Sequence, residues 1–253
     1  MAHFPLFIEL EEKPCLIVGG GTVALRKAEK LLSYGAHLTA VAPAFAPGWE
    51  ALSDTLSGPL ADVPPGPQPD TMSGPLADVP PGSPSNALPG PPVDVPSGAR
   101  SGRVTLLQRA FCPSDTDGQT LVIAATNDTA VNAAVAAQCR AARIPVNAVD
   151  DPDNCTFLFP ALVRRGALSV GISTGGASPT AAACVRRRIE DALPEGGAWE
   201  TILDFLAAQR PRVKACIPDE KARAKIFAAL FEACMARGGP LEEQEIEAIL
   251  RQA

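Results

Sequence analysis

Leu16, Ile17 and Val18 run directly into Gly19-Gly20-Gly21, and from Val23 apolar residues return at helical spacing as far as Leu32. A strand buried on both faces, a glycine turn and a helix in that order suit a chain that feeds a parallel strand into a crossover helix. Gly19-x-Gly21-x-x-Ala24 fits the dinucleotide fingerprint in its G-x-G-x-x-G/A form. Gly19 permits the tight turn out of the strand, Gly21 lets backbone approach a pyrophosphate, and Ala24 packs the helix closely on the sheet. The phosphates would face unpaired N–H groups at the positive end of that helix. Glycine turns also follow strands in proteins that hold no nucleotide, so the turn alone does not decide the matter.

The surroundings favour the nucleotide reading. Strand, turn and helix fall within the first 35 residues, and Gly35 is a suitable helix C-cap before a second strand at 37–41. One element of the fingerprint is missing. The carboxylate that holds the adenosine ribose, expected about 20 residues on, is replaced by Val41-Ala42-Pro43. A preference for NAD over NADP therefore cannot be argued from a carboxylate.

The chain has 253 residues, enough for one large domain or two modest ones. No apolar stretch approaches the ~20 residues of a membrane span, and Met1-Ala2-His3-Phe4-Pro5 is unlike a signal peptide, so a cytoplasmic location and no membrane partner are expected. Seven scattered cysteines, none in a C-x-x-C pair, read as reduced core residues. With only His3 and His37 available, a histidine-based metal site is nearly excluded. A net charge of −6 argues against nucleic acid as the main partner.

Taken in order, an apolar leader around Phe4-Pro5-Leu6-Phe7-Ile8 is expected to lay an edge against the nucleotide domain, and residues 46–52 suit a short helix. The sequence then changes character. Residues 57–66 recur without change as 73–82, and residues 89–98 keep a degenerate third copy. The repeat is too proline-rich for helix and lacks the apolar mass of a solenoid, so residues 53–101 read as a disordered or polyproline-like surface insertion.

Regular structure resumes with strands expected at 103–107 and 121–126, an alanine-rich helix at 129–143 capped by Asp128 or Thr129, and a strand at 145–149. This order suits an α/β, Rossmann-like doubly wound parallel sheet, which places ligands at the C-terminal strand ends. Gly19, Gly21, Ala125, Thr126 and Asp150 all fall at such ends. Two further strands meet at Arg165-Gly166, and Thr174-Gly175-Gly176 opens a helix with Ser178 as N-cap and Pro179 at its first position. Helices at 199–210, 219–237 and 241–251 complete an all-helical tail. The expected division is a nucleotide domain at 1–150, a dimerisation and substrate segment at 151–194, and a helical part at 195–253.

These motifs together resemble the precorrin-2 dehydrogenase module of sirohaem synthases. The resemblance is carried by Phe4-Pro5-Leu6-Phe7, Val18-Gly19-Gly20-Gly21-x-Val23-Ala24-x-Arg26-Lys27, Ala124-Ala125-Thr126-Asn127-Asp128, Asn147-x-Val149-Asp150, Phe157-x-Phe159-Pro160 and Ile172-Ser173-Thr174-Gly175-Gly176-x-Ser178-Pro179, in family order. It implies NAD-dependent oxidation of precorrin-2 to sirohydrochlorin, by the module without the methyltransferase domain that fused members carry. Some members also insert ferrous or cobaltous ion, which is then a substrate and not a resident metal. A homodimer is implied, with its interface around residues 157–189. Cofactor contacts carry over to Gly21, Thr22, Val23, Pro43, Ala44 and the Ala125-Thr126 strand end, and the acid–base carboxylate falls on Asp150.

The chemistry is consistent with that assignment. Dehydrogenation delivers a hydride to the nicotinamide and a proton to a base, and in a chain with two histidines a carboxylate is the natural base. The plain alternative is that Asp150-Asp151-Pro152-Asp153 is only a turn cluster. Precorrin-2 is a polycarboxylate, so Arg164, Arg165, Arg186, Arg187 and Arg188 are candidates for charge-assisted contacts, with Asn147 and the backbone of Thr174, Gly175 and Gly176 beside them. Consecutive arginines on a helix fan over different faces, and a solvated face is the alternative for each. A non-catalytic NAD(H)-binding sensor or assembly module is the competing function.

Overall fold

The computed structural model describes residues 3–52, 55–57 and 102–251. They form two compact units, one of residues 7–157 and one of residues 158–253 with the first six residues of the leader. The segments anticipated as 151–194 and 195–253 lie together in the second unit, apart from 151–157, which stay with the first.

The first unit is built on a fully parallel six-stranded sheet of order β3-β4-β2-β1-β5-β6. Its strands are β1 (Pro14–Val18), β2 (His37–Val41), β3 (Thr55–Ser57), β4 (Val104–Leu107), β5 (Leu121–Ala124) and β6 (Val146–Ala148). Parallel strands covered on both faces need apolar residues at consecutive positions, without alternation. Leu16, Ile17, Val122, Ile123 and Ala124 meet that demand with no accessible surface.

Two helices belong to this unit. In α1 (Thr22–Leu32) the apolar stripe Ala24, Ala28, Leu31 and Leu32 is buried, and Gly35 at φ 78° turns the chain into β2. In α2 (Thr129–Ala142) the carboxylate of Asp128 accepts from the N–H groups of Ala130 (2.8 Å) and Val131 (3.3 Å). That cap satisfies donors the helix itself cannot. Val135, Ala136 and Cys139 of α2 pack with Leu16, Val18, Val122 and Val146 into one core.

Three expectations require correction. Residues 46–52 form turns, not a helix. Pro47 has no N–H to give, and Gly48 at φ 105° holds a conformation a helix cannot contain. The segment is fixed instead by the fully buried Trp49, whose Nε1 donates to the carbonyl of Gly20 at 3.0 Å. The region read as an unstructured insertion from residue 53 contributes β3, which extends the sheet along β4; the repeat from Gly58 to Gly98 lies outside the described residues. The leader lacks the expected packing, with Phe7 70% exposed and Phe4 87%.

In the second unit β7 (Ala161–Arg165) and β8 (Leu168–Ile172) form an antiparallel hairpin, turned at Gly166 with φ 54°. Helices α3 (Pro179–Ala192), α4 (Ala198–Cys216), α5 (Glu220–Arg237) and α6 (Glu243–Leu250) follow. Ser178 caps α3 as expected, its hydroxyl accepting from the N–H of Ala181 at 3.1 Å. The helix expected to stop at Arg210 continues through Pro211 to Cys216. Proline at that place removes one intrahelical bond, but Ile202 on one side and Val213 on the other are both fully buried, and burial holds the two halves to one core. That core joins Ile202, Val213, Ile226, Leu230, Cys234 and Ile246. No described helix is long and apolar enough to cross a membrane.

Leu230 has no accessible surface. Leu230→Ala is therefore expected to destabilise the helical unit by about 2–5 kcal/mol, measured by urea unfolding followed by circular dichroism.

Candidate nucleotide site and base

The glycine turn works by close approach. Gly19, at φ 131°, donates its N–H to the carbonyl of Val41 at 2.9 Å. A Cβ at Gly19 would lie 2.3 Å from the carbonyl oxygen of Ala125, and one at Gly20 would lie 2.1 Å from that of Ala44. The Gly20 carbonyl is itself held by the N–H of Ala46 (2.8 Å) and the indole of Trp49 (3.0 Å). Gly20 is thus as constrained as its neighbour, although the fingerprint counts it as a free position. Gly21 is different. Nothing lies within 4 Å of where its Cβ would stand, and it begins α1 without any side-chain cap. The start of α1 therefore presents backbone donors and a positive dipole end to open space, which suits a dinucleotide pyrophosphate.

Beside this turn is a cavity of about 390 Å³, lined by Val23 of α1, Ala125 and Thr126 after β5, Asn132 of α2, and Val149 and Asp150 after β6. It lies where the sheet order reverses on either side of β1, the place for ligands in doubly wound folds. Four expected site residues, Val23, Ala125, Thr126 and Asp150, are brought together here. Pro43 and Ala44 do not line the cavity. They stand across the glycine turn, with Val41 and Ala42 buried before them and no carboxylate at the end of β2.

Asn132 was not anticipated. It is 3% exposed and clamps Thr126 from both sides: its Oδ1 accepts from the Thr126 N–H (3.1 Å) and hydroxyl (2.8 Å), and its Nδ2 donates to the Thr126 carbonyl (3.0 Å). The available signal was a single asparagine among the alanines and valines of α2, on the face that meets the sheet.

Asp150 and Asp151 have separate tasks. Asp151 accepts from the N–H (3.3 Å) and Nδ2 (2.6 Å) of Asn154, and Arg140 binds the carbonyl of Asp153, so these belong to the turn. Asp150 is exposed in the cavity with a left-handed backbone at φ 59°, which aspartate tolerates better than most residues. Among the described residues no hydrogen bond engages its carboxylate.

Asn147, expected at the substrate, is turned inward. It is 7% exposed, its Nδ2 donates to the carbonyl of Phe157 (3.1 Å) and to Cys155 Sγ (3.5 Å), and its Oδ1 accepts from Lys27 Nζ (3.0 Å). Its amide donors and its oxygen each have a partner inside the unit, and Asn147 does not line the cavity. Lys27 had no role in the sequence reading beyond its place in the Arg26-Lys27 pair. Burial, and secondarily Lys30, push its ammonium down to about 8, against the opposing influence of Cys155 and Asp150.

The remaining expected residues stand in the second unit. Thr174 Oγ1 donates to the carbonyl of Ser178 and accepts from its N–H, both at 3.1 Å, while Gly175 and Gly176 take left-handed φ values of 64° and 86°. Arg164 and Arg187 are exposed. Arg165 is buried and consumed internally, donating to the carbonyls of Leu193 (2.6 Å) and Arg164 (2.8 Å). Arg186 pairs with Glu190 at 3.3 Å. Both guanidinium groups are thus engaged within the unit.

A parallel sheet with a glycine turn, an uncapped helix start and a cavity at the switch point defines a dinucleotide-binding protein. Residues 6–161 match the NAD(P)-binding family model, and the chain belongs to that family. Residues 165–192 match a second model, that of the sirohaem biosynthesis protein central region. The chain is 36% identical to siroheme synthase of Methylococcus capsulatus over 97% of its own length and 42% of that protein. It is 34% identical to siroheme synthase of Chromobacterium violaceum over 93% of its own length and 40% of that protein. It thus spans about two fifths of the curated relatives it matches. Among solved structures, SirC, a precorrin-2 dehydrogenase, shares the fold with a TM-score of 0.57 at 20% identity, covering 99% of this chain and 98% of that one.

The glycines can be told apart by substitution. Gly20→Ala is expected to lower the melting temperature, because its Cβ meets backbone that Trp49 holds in place. Gly21→Ala should leave melting unchanged and weaken NADH binding, read by fluorescence titration. The linkage of Lys27 has a definite sign. Between about pH 8 and its usual 10.5 the unfolded chain binds the extra proton, so stability gained at this residue rises with pH across that window. The difference in unfolding free energy between wild type and Lys27→Met should therefore shift in favour of wild type between pH 8 and 10, as followed by urea titrations.

Proposed function

We propose that this chain is an NAD-dependent dehydrogenase that converts precorrin-2 to sirohydrochlorin in sirohaem biosynthesis. The observation that carries this reading is the carboxylate of Asp150, engaged in no hydrogen bond among the described residues and lining the same cavity as Val23 of the nucleotide turn and Thr126. A protein that only sensed NAD(H) would have no use for a base there. The match of residues 165–192 to the sirohaem central region and the siroheme synthases among its relatives support the substrate class.

The backbone at Gly21, Thr22 and Val23 would hold the pyrophosphate of NAD, with Gly19 making room for the turn and Pro43 and Ala44 flanking the adenosine side. Bound there, NAD supplies a hydride acceptor. Asp150 accepts the proton that leaves with the hydride, so that precorrin-2 and oxidised cofactor give sirohydrochlorin, reduced cofactor and one proton released to solvent. Thr126, clamped by Asn132, forms a rigid wall of the cavity and helps exclude water. Exposed Arg164 and Arg187, with the backbone of Thr174, Gly175 and Gly176, are suited to substrate carboxylates. The protein acts in the cytoplasm as a homodimer through the segment 157–189. Insertion of ferrous or cobaltous ion into sirohydrochlorin is a second activity consistent with the same base, since chelation also displaces pyrrolic protons.

Anaerobic incubation with precorrin-2 and NAD is expected to yield NADH and the sirohydrochlorin spectrum together. Asp150→Asn should reduce turnover about 10²–10⁴-fold while leaving NADH affinity unchanged. Binding of NAD without turnover of active substrate by the wild type would reject the enzyme and leave a sensor.

A further inference from the structure

β2 ends at Val41 beside Leu107, the last residue of β4, and the N–H of Ala42 donates to the Leu107 carbonyl at 3.2 Å. The chain leaving β4 is therefore held against Pro43, across the glycine turn. Gln108, the first residue of that chain, is exposed, and its Nε2 donates to the carbonyl of Pro43 at 3.4 Å. A carbonyl can only accept, so it takes the NH2 end of the amide and turns Oε1 outward as an acceptor. Among the described residues Oε1 engages no donor.

Arg109 comes next and is already committed. Its Nη1 and Nη2 donate to Oδ2 (2.8 Å) and Oδ1 (2.6 Å) of Asp115, a bidentate pair. The same carboxylate accepts from the N–H of Cys112 at 2.8 Å and keeps only 8% of its side chain exposed. Drawing Arg109 away would leave a nearly buried carboxylate without its counter-ion, which holds the guanidinium more firmly than an open surface pair would.

These residues bear on the gap in the fingerprint, and the inference rests on reading this turn as the cofactor site with Pro43 on its adenosine side. In dinucleotide folds a carboxylate at the end of β2 accepts from the ribose 2′-hydroxyl, or an arginine nearby receives the 2′-phosphate of NADP. Here Val41-Ala42-Pro43 replaces the carboxylate. We propose that Gln108 selects the cofactor: its Oε1 takes the place of the missing carboxylate as acceptor for the 2′-hydroxyl, while Asp115 withholds Arg109 from a 2′-phosphate, so that the site prefers NAD. A 2′-phosphate, built of acceptor oxygens, meets a like pole in Oε1. Reversing the amide to offer Nε2 would set Oε1 against the Pro43 carbonyl.

NADH and NADPH differ only in that phosphate and share the fluorescence of the reduced nicotinamide, so one titration reads both. Affinities are measured for wild type, Gln108→Leu, Gln108→Arg, Asp115→Asn and Asp115→Asn with Arg109→Leu, with melting temperatures to confirm folding. Wild type is expected to bind NADH about tenfold tighter than NADPH, the worth of one good hydrogen bond. Gln108→Leu should lose most of that preference through weaker NADH binding. Gln108→Arg, a change at an exposed position, should reverse it in favour of NADPH. Asp115→Asn should narrow it through tighter NADPH binding, a gain that adding Arg109→Leu cancels. Equal binding of the two cofactors by wild type, or Gln108 variants that alter both alike or neither, would overturn the inference, as would a folded Asp115→Asn with no gain for NADPH. A wild type that binds neither cofactor would instead overturn the nucleotide site beneath it.

Discussion

The structure depends on backbone meeting backbone where three strand ends converge. Gly19 approaches the carbonyl of Ala125 and Gly20 that of Ala44, each so closely that a single methyl group would collide. These contacts bring the ends of β1, β2 and β5 together, and they leave Gly21 and the start of α1 as the one part of the turn with open space before it. The turn is divided in this way: two glycines are closed in by backbone, and the third stands open.

Around this turn several polar groups hold the frame of the cavity. Asn132 fixes Thr126, Asp151 fixes its turn, and Asn147 is spent between Lys27 and the chain after β6. A buried polar side chain with all its partners satisfied rigidifies its surroundings. Asp150 differs from each of these in being exposed in the cavity and bound to none of them, and its left-handed backbone is the local cost of presenting it there.

Much of this could be read in the residues because it arises locally. The β1 turn, the Asp128 and Ser178 caps, and the strands read at 37–41, 103–107 and 121–126, the last two trimmed in the structure to 104–107 and 121–124, all follow from runs and caps a few residues long. The errors arose where distant partners decide the outcome. The segment 46–52 looked helical until Trp49 reached back to Gly20, and β3 exists only because β4 offers it an edge. Arg165 looked like a ligand contact, but its guanidinium is taken by Leu193, 28 residues on. Asn147, expected at the substrate, spends its side chain on Lys27, Cys155 and Phe157, since alternation along a three-residue strand cannot tell which partner a side chain will meet. The contact of Lys27 could not be read for the same reason: its partner Asn147 lies 120 residues away.

The central claim is that the uncapped start of α1 and the carboxylate of Asp150 serve one ligand-bound site. A crystal structure of the chain with NADH tests it most directly. The account predicts the pyrophosphate against the backbone of residues 21–23 and the nicotinamide ring in the cavity that Asp150 lines. A cofactor bound elsewhere, or one whose nicotinamide points away from Asp150, would contradict it.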